Sequence, residues 1–309
     1  MNRTIRNVAV VGCGTVGASW AALFLAHGLD VTATDPASDA RERLEAFLLR
    51  AGDQLRRMGF ARTGTLTFLA DPDAAVSRAD YVQENGPDDE ATKIDLLAEI
   101  DRSAPPETIV ASSTSSQLRS RIVQRCARPE RHVVAHPFNP PHLIPLVEIV
   151  GEAEWATARA CEFYASLGRK PIVLKREMRG HIANRLTSAL WREAVYLVEQ
   201  DVAGVAEIDD ALRFGPGLRW ALMGAHLTYH LGGGRGGIRH FLAHLGPGHE
   251  RRWEDLGTVR LTEALKARLI DGVLAEAGDR YVEELEQDRD EKLIALLRLL
   301  GLAGPGNAA

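Results

Sequence analysis

The chain has 309 residues, 45% hydrophobic and 26% charged, with a formal net charge of -5. That length and balance suit a soluble globular protein of two domains, and nothing basic speaks for nucleic acid or an anionic membrane as partner. The opening "MNRTIRNVAVVGCG" has only a short apolar run ending in glycines, so it reads as neither signal peptide nor membrane span.

The first 175 or so residues alternate short β-branched runs with amphipathic stretches. "NVAVVG" (7–12) predicts a buried strand, and "GASWAALFLAHG" predicts a helix after it. "DVTATD" (30–35) predicts the next strand, and 38–58 a long helix. Further strands are expected at 80–85, 108–113, 132–138, 145–150 and 171–175, with helices at 89–102 and 154–167. This alternation predicts an α/β fold with a mostly parallel, doubly wound sheet. After about residue 178 the apolar spacing becomes helical throughout, so we expect a domain over 1–178 and an all-helical one over 179–309. The glycine-rich "LGGGRGGIRHF" (231–241) reads as a flexible connection between helices, or else as a lid. The tail "GLAGPGNAA" reads as a frayed end. Cys13, Cys126 and Cys161 lack metal-like spacing. They read as free thiols of a reducing compartment, the cytoplasm, and no metal is expected.

Gly12, Gly14 and Gly17 stand in G-x-G-x-x-G spacing between a strand and a helix. The first permits a tight turn, the second a close approach to a pyrophosphate, and the third close packing of helix on strand. Phosphate charge would then rest on the helix N-terminus. Asp35 ends the next strand, where a carboxylate accepts from the ribose 2′-OH of NAD and repels a 2′-phosphate. This combination predicts a Rossmann-type domain that binds NAD in preference to NADP.

"HPFNPPHLIPLVEIV" (136–150) sets a carboxylate, Glu148, inside an apolar strand. A buried charge is costly unless paired, and His136 is the nearest good partner. "ASSTSSQL" (111–118) places Ser115 at the carboxyl end of another strand, the edge where open α/β sheets hold ligands. Oxidising an alcohol needs a base for the hydroxyl proton. A histidine suits that task, with a buried glutamate to orient it and a Ser or Asn to hold the substrate oxygen.

With "GCGTVG", "SSTSS", "HPFNP", "LVEIV" and "HIANRL" in this order, nearly the whole chain resembles the 3-hydroxyacyl-CoA dehydrogenase superfamily. The resemblance implies His136 as base and Glu148 as its partner, with Ser115 and Asn184 as ligands of the substrate oxygen. It also implies Glu84 and Lys93 near the cofactor, and a helical second domain that forms a homodimer. "LWREAVYLV", "EIDDALRFGPGLRWALMGAHLTYHLGGGRGGIRHF" and "ELEQDRDEKLIALL" look like the carnitine branch, implying oxidation of the 3-hydroxyl of L-carnitine to 3-dehydrocarnitine. The alternatives are a dehydrogenase of another small 3-hydroxy acid, such as L-gulonate, or of a 3-hydroxyacyl-CoA. A non-enzymatic, crystallin-like NAD-binding protein is the reading from another class. Carnitine's quaternary ammonium cannot donate hydrogen bonds and is held over aromatic faces. Phe138, Trp191, Trp220 and Tyr229 are therefore candidate substrate residues. His142, like His181, reads as a satisfied structural histidine. Pro141-His142 is nonetheless a departure, standing where the branch has Val-Tyr; if that Tyr shapes the substrate pocket, its replacement by His142 bears on which substrate is taken.

Overall fold

The computed structural model describes residues 4–61 and 63–304. Its eight strands are β1 (Asn7–Val11), β2 (Asp30–Thr34), β3 (Leu66–Phe68), β4 (Tyr81–Glu84), β5 (Ile109–Ser112), β6 (His132–Pro137), β7 (Leu146–Gly151) and β8 (Lys170–Val173). They form one sheet in the order β3-β2-β1-β4-β5-β6-β7-β8. Every neighbouring pair is parallel except β6 and β7. The order reverses beside β1, where the chain winds outward to β2 and β3 and then returns to β4. That switch opens a crevice at the carboxyl edge of the strands.

Side chains of β1 alternate between the two faces: Val8 and Val10 join one core, Ala9 and Val11 the other. The first core takes helices α1 (Thr15–Ala26) and α2 (Ala40–Arg57). The second takes α3 (Pro72–Val76), α4 (Glu90–Ser103) and α5 (Arg119–Ile122), while α6 (Glu154–Ser166) packs with the first. Helix α2 shows why: Ala40, Leu44, Leu48, Ala51 and Leu55 recur at helical spacing and all are buried. By contrast, α1 is buried on every side from Gly17 to Ala26, which matches its lack of charged residues.

The rest of the chain is helical, as expected: α7 (Ala183–Glu199), α8 (Val205–Phe214), α9 (Pro216–Trp220), α10 (Ala225–Gly232), α11 (Gly237–His244), α12 (Gly246–Asp255), α13 (Glu263–Ala277) and α14 (Val282–Leu299). Arg185–Asp288 form one compact unit, and the described residues on either side of it form the other. The end of α14 thus packs with the first unit, where Ile294 and Leu297 enter the sheet's core. Sequence texture had assigned that segment to the second domain. Leu302 and Ala303 also pack against this core, and the tail beyond Gly304 lies outside the described residues.

The glycine-rich stretch 231–241 is not an open loop. Helix α10 runs through Gly232, a short 3-10 turn covers Gly234–Gly236, and α11 starts at Gly237. A Cβ on Gly233 would strike the Gly237 carbonyl oxygen at 1.9 Å, so glycine there serves a close helix-to-helix turn. No helix of the described residues is long and apolar enough to cross a membrane.

Candidate active site

Antiparallel pairing of β6 with β7 sets His136 directly opposite Glu148. His136 Nδ1 lies 2.9 Å from Glu148 Oε2. The second carboxylate oxygen, Oε1, accepts the backbone N–H groups of Ile182 (2.8 Å) and Ala183 (3.0 Å). Burial pulls the Glu148 carboxyl up, but the His136 bond, the two N–H groups and the imidazole's charge outweigh it and hold it below its ordinary value. A carboxylate can only accept, so Nδ1 carries the proton and Nε2 is left as the basic atom.

His136 lines a cavity of about 380 Å³ at the carboxyl edge of the sheet, with Asn85, Gly86, Asp88, Lys93, Ser115, Phe138 and Asn184 also in its walls. Ser115, His136 and Asn184 thus meet around one space, with Glu148 behind His136. Asp88, which sequence reasoning missed, organises the serine loop. Its Oδ2 accepts from the Ser115 hydroxyl (2.8 Å), the Ser115 N–H (3.1 Å) and the Ser116 hydroxyl (3.1 Å), and Oδ1 accepts from Thr114. Burial raises its carboxyl, yet these bonds and the Lys93 charge hold it below the usual carboxylate range. The only sequence signal was the acidic pair in "GPDDE". That pair reads as a helix start, which is what its neighbour Asp89 provides by capping α4.

The crevice between β1 and β4 fits a dinucleotide. A Cβ on Gly12 would fall 2.7 Å from the Asn85 carbonyl, and one on Gly17 would fall 1.9 Å from the Gly12 carbonyl oxygen. A Cβ on Gly14 would instead meet nothing within 4 Å, so its backbone borders open space at the start of α1. Asp35 is tied to the turn itself: its carboxylate accepts the Cys13 N–H at 2.7 Å and the Ala37 N–H at 2.9 Å. Glu84 and Lys93 form a fully buried pair at the end of β4, with Lys93 Nζ 2.8 and 3.0 Å from the two carboxylate oxygens.

The aromatic candidates divide. Phe138 lines the cavity, with its ring edge-on to His136 at 6.3 Å. Trp191, Trp220 and Tyr229 belong to the second unit. There Tyr229 packs on Phe241 and His249, while Trp191 and Trp220 are exposed.

His142 is not a wall of this cavity. It is buried in a closed polar chain: Ser19 Oγ lies 2.7 Å from Nδ1, and Nε2 lies 2.7 Å from Gln54 Oε1. Gln54 Nε2 in turn donates to Asp290 of α14. Burial first, then the charges of Arg169 and Arg289, push the imidazole down to about 3. An unfolded chain binds this proton near pH ~6.5, so the folded state loses stability as pH falls through the window from there toward 3. We expect His142→Asn to flatten the acid limb of the unfolding free energy against pH, taken from urea melts, by on the order of 1 kcal/mol per pH unit. An unchanged slope would refute the assignment.

Asp101, Cys126 and His132 also lie within 4.8 Å of one another. Asp101 there already accepts from Arg131, His132 and the N–H groups of Ala127 and Arg128, and the guanidinium supplies the positive charge that a metal would bring.

Comparison with known proteins agrees with this geometry. Residues 7–178 match the family model of the 3-hydroxyacyl-CoA dehydrogenase NAD-binding domain, and residues 180–266 match that of its C-terminal domain. The chain is 45% identical over 309 residues to an L-carnitine dehydrogenase of Bacillus cereus, covering 98% of this chain and 95% of the relative. It is 45% identical over 299 residues to that of Pseudomonas aeruginosa, covering 95% and 93%. Among solved structures it resembles an NAD+-dependent 5-formyl-3-hydroxy-2-methylpyridine 4-carboxylic acid 5-dehydrogenase, with a TM-score of 0.82, 31% identity and coverage of 96% and 99%. The buried His136–Glu148 pair, the glycine crevice and these matches have one common explanation: the chain belongs to the 3-hydroxyacyl-CoA dehydrogenase family of NAD-dependent oxidoreductases.

Proposed function

We propose that the protein oxidises the 3-hydroxyl of L-carnitine to 3-dehydrocarnitine. The observation that carries this reading is the near-full-length similarity to L-carnitine dehydrogenases, joined to a His–Glu pair whose histidine lines the cavity. NAD, when bound, supplies the acceptor for the hydride that leaves the substrate carbon. Gly12, Gly14 and Gly17 make room for its pyrophosphate, and Asp35 receives its ribose hydroxyls. His136 Nε2 takes the hydroxyl proton as the carbonyl forms. Glu148 holds Nδ1 and balances the imidazolium's charge. Ser115 and Asn184 hold the reacting oxygen, and Asp88 holds Ser115. Phe138 offers an aromatic face within the cavity for the trimethylammonium group.

The test is NADH formation by the purified protein with L-carnitine, L-gulonate and 3-hydroxybutyryl-CoA at matched concentrations. We expect a clear preference for L-carnitine. Turnover of only one of the others would keep the family chemistry and overturn the substrate.

We also propose a homodimer built through the helical unit. Its own core is small, with Val195, Val198 and Leu265 buried, while Leu186, Trp191, Phe214, Leu218, Leu274 and others stay exposed. An apolar surface of that extent on a lone chain invites a partner, and a second copy with the same face is the simplest one. Sedimentation equilibrium should give twice the chain mass; a monomer at micromolar concentration would refute it.

A further inference from the structure

His181 is buried, yet a core position would be better filled by an apolar ring. It differs from one in three ways. Its ring centroid lies 5.0 Å from that of His136, tilted by 33°. Its Nε2 lies 3.2 Å from the Thr114 carbonyl oxygen, which can only accept, so Nε2 carries the hydrogen. The remaining Nδ1 is buried with no hydrogen-bond partner among the described residues, at a cost that an apolar side chain would avoid. The backbone is also unusual. His181 adopts a left-handed conformation (φ 49°) directly after Gly180 (φ 75°). Histidine tolerates that region better than most residues, but still at a cost. The turn it makes delivers the N–H groups of the next two residues, Ile182 and Ala183, to Glu148 Oε1.

We propose that His181 positions the catalytic pair: its ring backs the His136 imidazole, its Nε2 anchors the loop that bears Ser115, and its backbone aims two N–H groups at Glu148. One residue thereby holds base, orienting carboxylate and hydroxyl loop in register. The strain and the orphaned nitrogen persist because the surrounding contacts over-determine them. The groups that face it are His136 on β6, Glu148 on β7 and Asp88 in the loop after β4. Burial, and then the neighbouring His136 charge against the pull of Thr114, Glu148 and Asp88, keep it below the usual histidine range, so it is a neutral wall for His136 at working pH. The cavity's walls do not include it, so it acts through its neighbours.

This proposal rests on His136 as the base, and the experiment separates the two. His181→Asn keeps a residue suited to the left-handed turn but removes the ring; His181→Phe restores a ring but not the bond to Thr114. Each is compared with the parent and with His136→Ala in the full-length protein, using L-carnitine and NAD. For His181→Asn we expect kcat to fall about tenfold, with KM and NADH affinity changed less than about threefold. We also expect the acidic limb of kcat/KM to move to higher pH, because water beside His136 favours its charged form. His181→Phe should recover part of kcat. Parental kcat and an unmoved limb in His181→Asn, beside an inactive His136→Ala, would overturn the proposal alone. So would a loss no larger than the unfolded fraction in a thermal melt, with the limb unmoved. An active His136→Ala would overturn the base reading and this proposal with it.

Discussion

Replacing His136 with alanine is expected to lower kcat by about 10²- to 10⁴-fold, the range that a positioned general base supplies. Dinucleotide affinity should stay near parental, because Gly12 and Gly14 lie in the β1–α1 turn, Gly17 in α1 and Asp35 directly after β2, away from the β6–β7 pairing. NADH fluorescence titration and steady-state rates on the same preparation check both halves. Glu148→Gln sharpens the result. The carboxylate presents two acceptor oxygens, one to Nδ1–H of His136 and one to the N–H groups of Ile182 and Ala183. An amide has only one oxygen. Its NH2 must face either the two N–H donors or the imidazole, and the latter turns Nδ1 into an acceptor and puts the proton on Nε2, where a base is needed. We expect a kcat loss on the order of 10²-fold or more with little change in NADH affinity. Retained turnover in His136→Ala would remove His136 from the chemistry; retained turnover in Glu148→Gln would remove the need for the carboxylate behind it.

Much of this site was legible in the sequence because its signals are local. Glycine spacing after an apolar run announces β1, its turn and α1, and Asp35 follows at the end of the next strand. A carboxylate in "LVEIV" announces its own need for a partner. What was not legible depends on long-range placement. Nothing in "LVEIV" says that β7 runs antiparallel to β6, yet this pairing sets Glu148 against His136. Asp88 and His181 look like a helix-start acid and an ordinary histidine until the chain folds the Thr114–Ser116 loop between them. The three-residue β3, "LTF", is too short to show an alternation. His142 is, as its structural reading expects, a buried tie between Ser19 and Gln54, and the position where the branch has Tyr is not a wall of this pocket; its place beside "HPFNP" does not fix the direction of the side chain. The glycines of 231–241 read as a flexible connection between helices or as a lid; they form instead a close helix-to-helix turn, whose tight packing no local pattern announces.

Lys93→Met should be among the most destabilising single changes in the molecule. Lys93 and Glu84 are 1% and 0% exposed. The ammonium reaches both Glu84 oxygens and, at 3.1 Å, the Gly86 carbonyl; the carboxylate also accepts the Gly86 N–H at 2.6 Å and the Ser112 hydroxyl at 2.5 Å. Methionine fills the stem's volume but strands a carboxylate in the core, which costs about 3–5 kcal/mol when a buried pair is broken from one side. Against a total stability of about 5–15 kcal/mol, that is enough to drop the urea midpoint severely. The damage should reach the cavity too, because Gly86 and Lys93 form part of its wall. Pairing the change with Glu84→Gln removes the stranded charge. The amide oxygen can still accept from Gly86 N–H and its NH2 can donate to the Ser112 oxygen, so only neutral groups, the Gly86 carbonyl and the Ser112 hydroxyl hydrogen, lose a partner, at less cost than a stranded charge. The double variant should therefore recover more than half of the loss, and a double-mutant cycle should give a coupling energy well above the ~0.5 kcal/mol of independent sites. Should Lys93→Met fail to accumulate as folded protein, a folded double variant still delivers the result. Additive losses, or a cost for Lys93→Met below about 1 kcal/mol, would mean that the pair contributes no more than an exposed salt bridge.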